Sequence, residues 1–148
     1  MEVYPDFKEL LRLFNENRVE YIIVGAYALA FHGSPRYTGD LDILIKPEKD
    51  NAVKILSALE EFGFGSLELD VKDFSRPDKV IQLGVPPVRV DIITSITGVS
   101  SEEAFAGKIS GEFGDIQVDY MGLEQLIANK RAMGRKKDLA DLESLGKS

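Results

Sequence analysis

Two aspartates one residue apart, Asp40 and Asp42, open the apolar run Asp-Leu-Asp-Ile-Leu-Ile. Such a run reads as a buried strand, where an uncompensated carboxylate costs on the order of several kcal/mol. Side chains alternate along a strand, so Asp40, Asp42 and Leu44 share one face and Leu41, Ile43 and Ile45 the other, with the two acids about 7 Å apart at twice the strand rise. Like charges so placed repel unless a cation joins them. A second run, Val-Arg-Val-Asp-Ile-Ile, supplies a third acid, Asp91, on one face with Arg89 and Ile93, while Val90 and Ile92 turn to the core. Three acids on two strands can bracket two hard divalent cations, and Mg2+ (or Mn2+) takes carboxylates together with phosphate oxygens. A bland reading stays open, in which the acids are solvated or paired to Arg36 and Arg89.

Gly25 and Ala26 lie between a short β-branched run and a helical one. A turn of small residues feeding a helix leaves backbone N–H groups and the positive end of the helix dipole exposed, an arrangement that receives phosphate. A metal-bound triphosphate would touch this turn and the acids together.

The elements that must hold these residues follow from periodicity. Phe7, Leu10, Leu11 and Phe14 form one helical stripe over residues 6–16, with Pro5 suited to the first turn. Residues 19–25 read as a strand and 26–32 as a helix stopped by Gly33, Ser34 and Pro35. The Asp40 strand ends at Pro47. Over 48–62 the spacing of Val53, Leu56, Leu59 and Phe62 predicts a helix with that inward face, capped by Gly63. Two strands, 79–84 and 88–94, meet through Gly84, Pro86 and Pro87. Serines ahead of acids start a short helix near residue 100, a Gly-Asp turn makes a hairpin of 108–121, and helices over 123–133 and 135–145 follow. Alternation that gives way to adjacent strands predicts an α+β (mixed α/β) fold, a small mixed sheet flanked by helices.

Composition narrows the chemistry. The 148 residues suit a single domain spanning 1–148. With no cysteine there is no disulfide, thiolate metal site or cysteine nucleophile, and the one histidine, His32, cannot build a multi-histidine zinc site. His32 also lies roughly 10 Å along its helix from Gly25, which suits the negative end of the helix dipole better than a ligand. A net charge of −7 argues against a broad nucleic-acid surface. No apolar run approaches the ~20 residues that cross a bilayer, and the acidic, amphipathic start does not read as a secretory signal, so no membrane is expected and the location expected is cytoplasmic.

The ordered set of strand, Gly-small turn, helix, Asp-x-Asp strand and later single Asp resembles the DNA polymerase β-like nucleotidyltransferase superfamily. The string VGAYALAFHGSPRYTGDLDILI is closer still to its small prokaryotic stand-alone and toxin-like members, which carry an R-x-T-x-D-x-D run, and NKRAMGRKKDLADLESL is similar to their Lys-rich segment ahead of a K-D-x-x-D helix. The resemblance spans about residues 20 to 145. It implies transfer of a nucleoside monophosphate from a nucleoside triphosphate (NTP) to a hydroxyl, with Asp40, Asp42 and Asp91 as catalytic acids and metal ligands. Asp91 would add the role of base, and Gly25 and Ala26 would form the nucleotide-phosphate turn. Arg36 would touch the triphosphate or steady an acid, and Thr38 would bond within its loop. One departure is Ala26, where the pattern has Gly or Ser, so a phosphate-binding hydroxyl is absent while the backbone donors remain.

The acceptor is left open among a small molecule, a protein and RNA. RNA would use the one basic cluster, Lys130, Arg131, Arg135, Lys136 and Lys137, whose bland reading is a solvated helix face. A chain this short has little room for a separate acceptor domain, so a homodimer or partner protein could complete the site. The alternative is a non-catalytic nucleotide-binding or protein-interaction module, and a toxin–antitoxin pair is compatible with either reading.

Overall fold

The computed structural model describes residues 3–35, 39–65, 68–85 and 88–146. The Pro5–Glu16 helix (α1) starts on its proline and buries Phe7, Leu10, Leu11, Leu13 and Phe14. Strand Tyr21–Val24 (β1) is buried along its whole length and runs directly into helix Gly25–Phe31 (α2). Strand Asp40–Ile45 (β2), helix Lys49–Leu59 (α3) and short helix Val71–Ser75 (α4) come next. They are followed by strands Val80–Val85 (β3) and Val88–Ile93 (β4), helix Ser101–Ala106 (α5), the hairpin Ile109–Phe113 (β5) and Ile116–Tyr120 (β6), and helices Leu123–Met133 (α6) and Lys136–Ser144 (α7).

The strands form one six-stranded mixed sheet in the order β3-β4-β2-β1-β6-β5. β1 pairs antiparallel with β2 and parallel with β6, and β2 pairs parallel with β4. The α+β expectation therefore holds. Leu41, Ile43, Val90 and Ile92 are all buried on one side of β2 and β4, with α1 packed on α3 and reaching β4 and β6. Burying those apolar faces fixes register, because a slip by one residue would turn every acid of β2 into the core.

Three local readings needed correction. The inward face of α3 is Asn51, Ala52, Ile55, Ala58 and Leu59, while Val53 is 53% exposed. Small alanines let α3 sit close, and Asn51 earns its burial by accepting from Glu20 N–H and donating to the Glu20 and Lys46 carbonyls. Gly63 does not cap α3; it lies at φ 107° inside a π-helical turn, Glu60–Phe64. Helix α4, held by a reciprocal capping box between Asp70 and Asp73, has no counterpart in the sequence reading. His32, by contrast, ends α2 as expected, its Nε2 2.7 Å from the Met121 carbonyl oxygen. Among the described residues no helix is long and apolar enough to cross a membrane.

Candidate active site

Parallel pairing of β2 with β4 sets Asp40 beside Arg89 and Asp42 beside Asp91. On the other side of β2, Val24 is the register partner of Asp42, so the chain leaves β1 for α2 right at this carboxyl. Gly25 makes the departure possible. Its φ is +67°, and a β-carbon there would overlap Asp42 Oδ2. Only glycine combines the left-handed backbone with that close approach. The turn and the acids identified separately in the sequence are thus in direct contact.

Charge at the site is unevenly compensated. Arg89 Nη2 donates to Asp40 Oδ2 at 2.9 Å and to Asp91 Oδ2 at 3.1 Å. Asp91 is nine-tenths buried, and its other oxygen, Oδ1, has no hydrogen-bond partner. Burial, then the charges of Asp91 and Asp40, push the Asp42 carboxyl up to about 6, only partly opposed by Arg89. Asp42 and Asp91 come within hydrogen-bonding reach of one another, a contact that a shared proton or a shared cation satisfies and two bare carboxylates do not. Among the described residues, no group of three acid or histidine side chains closes around a single point. The buried, orphaned Asp91 oxygen beside a carboxyl that resists ionisation nevertheless fits an oxygen-seeking cation between Asp42 and Asp91.

Asp40, Asp42, Gly25 and Ala26 line a cleft of about 590 Å³, a size that suits a nucleotide-scale ligand. Its lining also includes Ser95, Ile96 and Thr97 after β4 and Asn129, Lys130, Met133, Arg135 and Lys137 from the last two helices and the turn between them. Asn129 donates to the Thr97 carbonyl at 2.8 Å, and Gly98 brings the loop so near α6 that a β-carbon would overlap Ala132. The loop and α6 are thereby fastened into one wall. Nothing in the local spacing of Ser95 or Asn129 announces this; only the topology brings them to the same cleft as Asp42.

The basic run does not make one surface. Lys130 is 5% exposed, with Nζ 2.9 Å from Asp141 Oδ2 and 3.4 Å from Asp138 Oδ1. Arg135 Nε donates to Asp138 Oδ2 at 2.6 Å. Burial opposes ionisation of Asp138, but the Arg135 hydrogen bonds and the Lys130 charge outweigh it and hold the carboxyl below its usual range. Lys130, Arg135 and Lys137 face the cleft, whereas Arg131 and Lys136 are exposed and are not part of its lining. The K-D-x-x-D helix is thus a clasp for Lys130, a role the charge run concealed. Arg36 and Thr38 lie outside the described residues.

This architecture has solved counterparts. A candidate nucleotidyltransferase from Thermotoga maritima superposes with a TM-score of 0.63 over 96% of this chain and 93% of its own, at 18% identity. The chain has the nucleotidyltransferase fold. A second structure of that fold, the lincosamide antibiotic adenylyltransferase LnuA with lincomycin bound, gives a TM-score of 0.57 over 99% of this chain and 98% of its own, at 13% identity. No family model and no curated protein matches the sequence.

Proposed function

We propose that the protein is a magnesium- or manganese-dependent nucleotidyltransferase, moving a nucleoside monophosphate from an NTP to a hydroxyl. The observation that carries this reading is the pairing of Asp91 with Asp42, which lies against the Gly25 turn and lines the cleft with it. When bound, the divalent cation would neutralise phosphate charge and polarise the phosphorus–oxygen bonds. Asp42 and Asp91 would hold it, with Asp40 beside them. The Gly25–Ala26 backbone and Lys137, which line the same cleft, would give a triphosphate donors and positive charge. In the reaction the acceptor oxygen loses its proton and bonds to the α-phosphorus as the bond to the pyrophosphate oxygen breaks. Asp91, whose Oδ1 has no hydrogen-bond partner, would take that proton.

A small-molecule acceptor suits both the net charge of −7 and the LnuA likeness, where a fold of the same extent holds lincomycin. Ala26, which offers no hydroxyl to phosphate, favours the second reading, a module that binds nucleotide without turning it over. Labelled ATP, GTP, CTP and UTP, each offered with Mg2+ or Mn2+ and with hydroxyl-bearing small molecules, total protein or total RNA, should separate the two. Transfer of label with release of pyrophosphate, dependent on the metal, is the expected result. Saturable nucleotide binding with no transfer to any acceptor would establish the non-catalytic module instead.

A further inference from the structure

Away from the acids, the cleft's polar side chains differ in what they have left to offer a ligand. Lys130 is clasped by Asp138 and Asp141, Arg135 by Asp138, and Lys137 carries a charge suited to phosphate. The Ser95 hydroxyl is held by Asp78, donating to its Oδ1 at 2.9 Å and accepting from its N–H at 3.0 Å. Thr97 is exposed, and its hydroxyl, with no bond among the described residues, turns to donate or accept as a ligand requires. Asn129 is neither charged nor free to turn. It is 8% exposed, lines the cleft, and gives one amide N–H to the Thr97 carbonyl at 2.8 Å. A carbonyl oxygen only accepts, so the amide nitrogen must stay on that side and Oδ1 is turned from it. Among the described residues nothing donates to Oδ1 or accepts the second N–H. So deeply buried an amide is costly unless a ligand or water meets its open groups. Its anchor is fixed in turn: Ile96 and Val99 form a β-bridge around Thr97, and Gly98 sits against Ala132 of α6. Met133, four residues beyond Asn129, shares its face of α6, and Met133 and Ile96 line the same cleft. Apolar surface beside one oriented polar group is the lining a nucleobase takes.

We propose that Asn129 reads the nucleobase of the NTP: its fixed Oδ1 accepts from an amino group, and its second N–H serves the unprotonated ring nitrogen beside that group. Adenine and cytosine present this edge away from the sugar, whereas guanine and uracil carry an oxo group at the matching position. An amide free to flip would serve either edge. The Thr97 bond removes that freedom, so an oxo base brings oxygen against oxygen. The inference names the substrate class of the site proposed above and rests on that reading. Metal and phosphate contacts are common to every NTP, and Asn129 is on this account a specificity residue that leaves the chemistry to the acids.

The test exchanges one group on the ligand. Isothermal titration calorimetry of the full chain with Mg2+, without any acceptor, compares ATP with inosine triphosphate, which has oxo for amino on the same ring, and CTP with UTP, which differ likewise. The parent should bind ATP and CTP about 10- to 100-fold more tightly than their oxo counterparts, the range for a hydrogen bond lost with its acceptor left unpaired. Asn129→Ala, shown to be folded by circular dichroism, should lose the preference and bind the members of each pair alike; Asn129→Leu, close to asparagine in volume, serves the same purpose should the alanine variant not fold. A parent that binds the members of each pair alike, or the oxo members more tightly, would overturn this inference while leaving the nucleotide reading intact, and that comparison needs no variant. A variant that binds all four ligands more weakly but keeps the preference would make Asn129 a staple for the Thr97 loop, and it too overturns the inference. No binding of any nucleotide would sink the nucleotidyltransferase reading and this inference with it.

Discussion

Asp42→Asn should make the ligand-free protein more stable at neutral pH while removing the proposed nucleotide transfer. A carboxyl that titrates at about 6 in the folded chain, against 3.8 as its ordinary value, holds a proton that the unfolded chain has already lost. Between those values the folded state binds more protons, so stability falls as pH rises through the window and stays lowered above it. The whole cost is about 3 kcal/mol, and an amide that mimics the neutral acid should recover about 1–3 kcal/mol of it. For a chain of this length that is a rise in melting temperature of roughly 2–12 °C at pH 7.5. The gain should shrink through pH 6 and vanish near pH 4, where Asp42 is protonated anyway. Nucleotide transfer should fall by about 10²–10⁴-fold, the equivalent of several kcal/mol of transition-state stabilisation. Thermal melts across pH, run beside the transfer assay, check both halves. A destabilised Asp42→Asn at pH 7.5 would mean that the carboxylate is a structural ion-pair partner.

Lys130→Met should have the opposite effect on stability. It removes the ammonium from Asp138, fully buried and still held by Arg135, and from Asp141, 5% exposed. Breaking a buried pair by removing one partner costs about 3–5 kcal/mol, so the melting temperature at pH 7 should drop by roughly 6–20 °C. The pH dependence has a definite sign. Asp138 is held below its usual range in the fold, so its contribution is present above the unfolded pKa and is lost as pH falls through the folded one. The deficit of the variant should accordingly narrow in acid, once the carboxylates that lost Lys130 take up protons. A loss under about 1 kcal/mol at pH 7 is the value for exposed ion pairs and would return Lys130 to a solvated helix face.

Those two residues also mark how far the sequence could be read. Asp42 was legible because strand geometry has a period of two and the acids interrupt an apolar run; Gly25 was legible because a strand leading straight into a helix needs a special backbone. Their direct contact was not, since it depends on which strand pairs with which. Lys130 was misleading for the same reason. Its partners lie eight and eleven residues on, across the turn at Gly134, whose φ is 62°, and a run of charges does not show which member folds back. Arg89 was visible on the right face of its strand but the position of its guanidinium between Asp40 and Asp91 comes from the parallel register of β2 and β4. On α3 the stripe shared only Leu59 with the fully buried face, because Asn51 and two alanines, which allow closeness and hydrogen bonding, take that face with Ile55 while Val53 turns outward. Helix α4 has only five residues and rests on its capping box, too little periodicity for a pattern to reveal.

The central claim is that Asp42 and Asp91 hold a metal–nucleotide pair, and ligand-induced thermal stabilisation tests it most directly. At a free nucleotide concentration about 100 times the dissociation constant, a protein that binds only when folded gains roughly 2.7 kcal/mol, which corresponds to about 5–11 °C in melting temperature. Magnesium with at least one of the four NTPs should raise the melting temperature of the parent by that amount, magnesium alone should do little, and Asp42→Asn should abolish the rise despite starting higher. A parent that responds to no metal–nucleotide pair, together with an Asp42→Asn variant that melts several degrees lower without ligand, would contradict the account and make the three acids part of the scaffold.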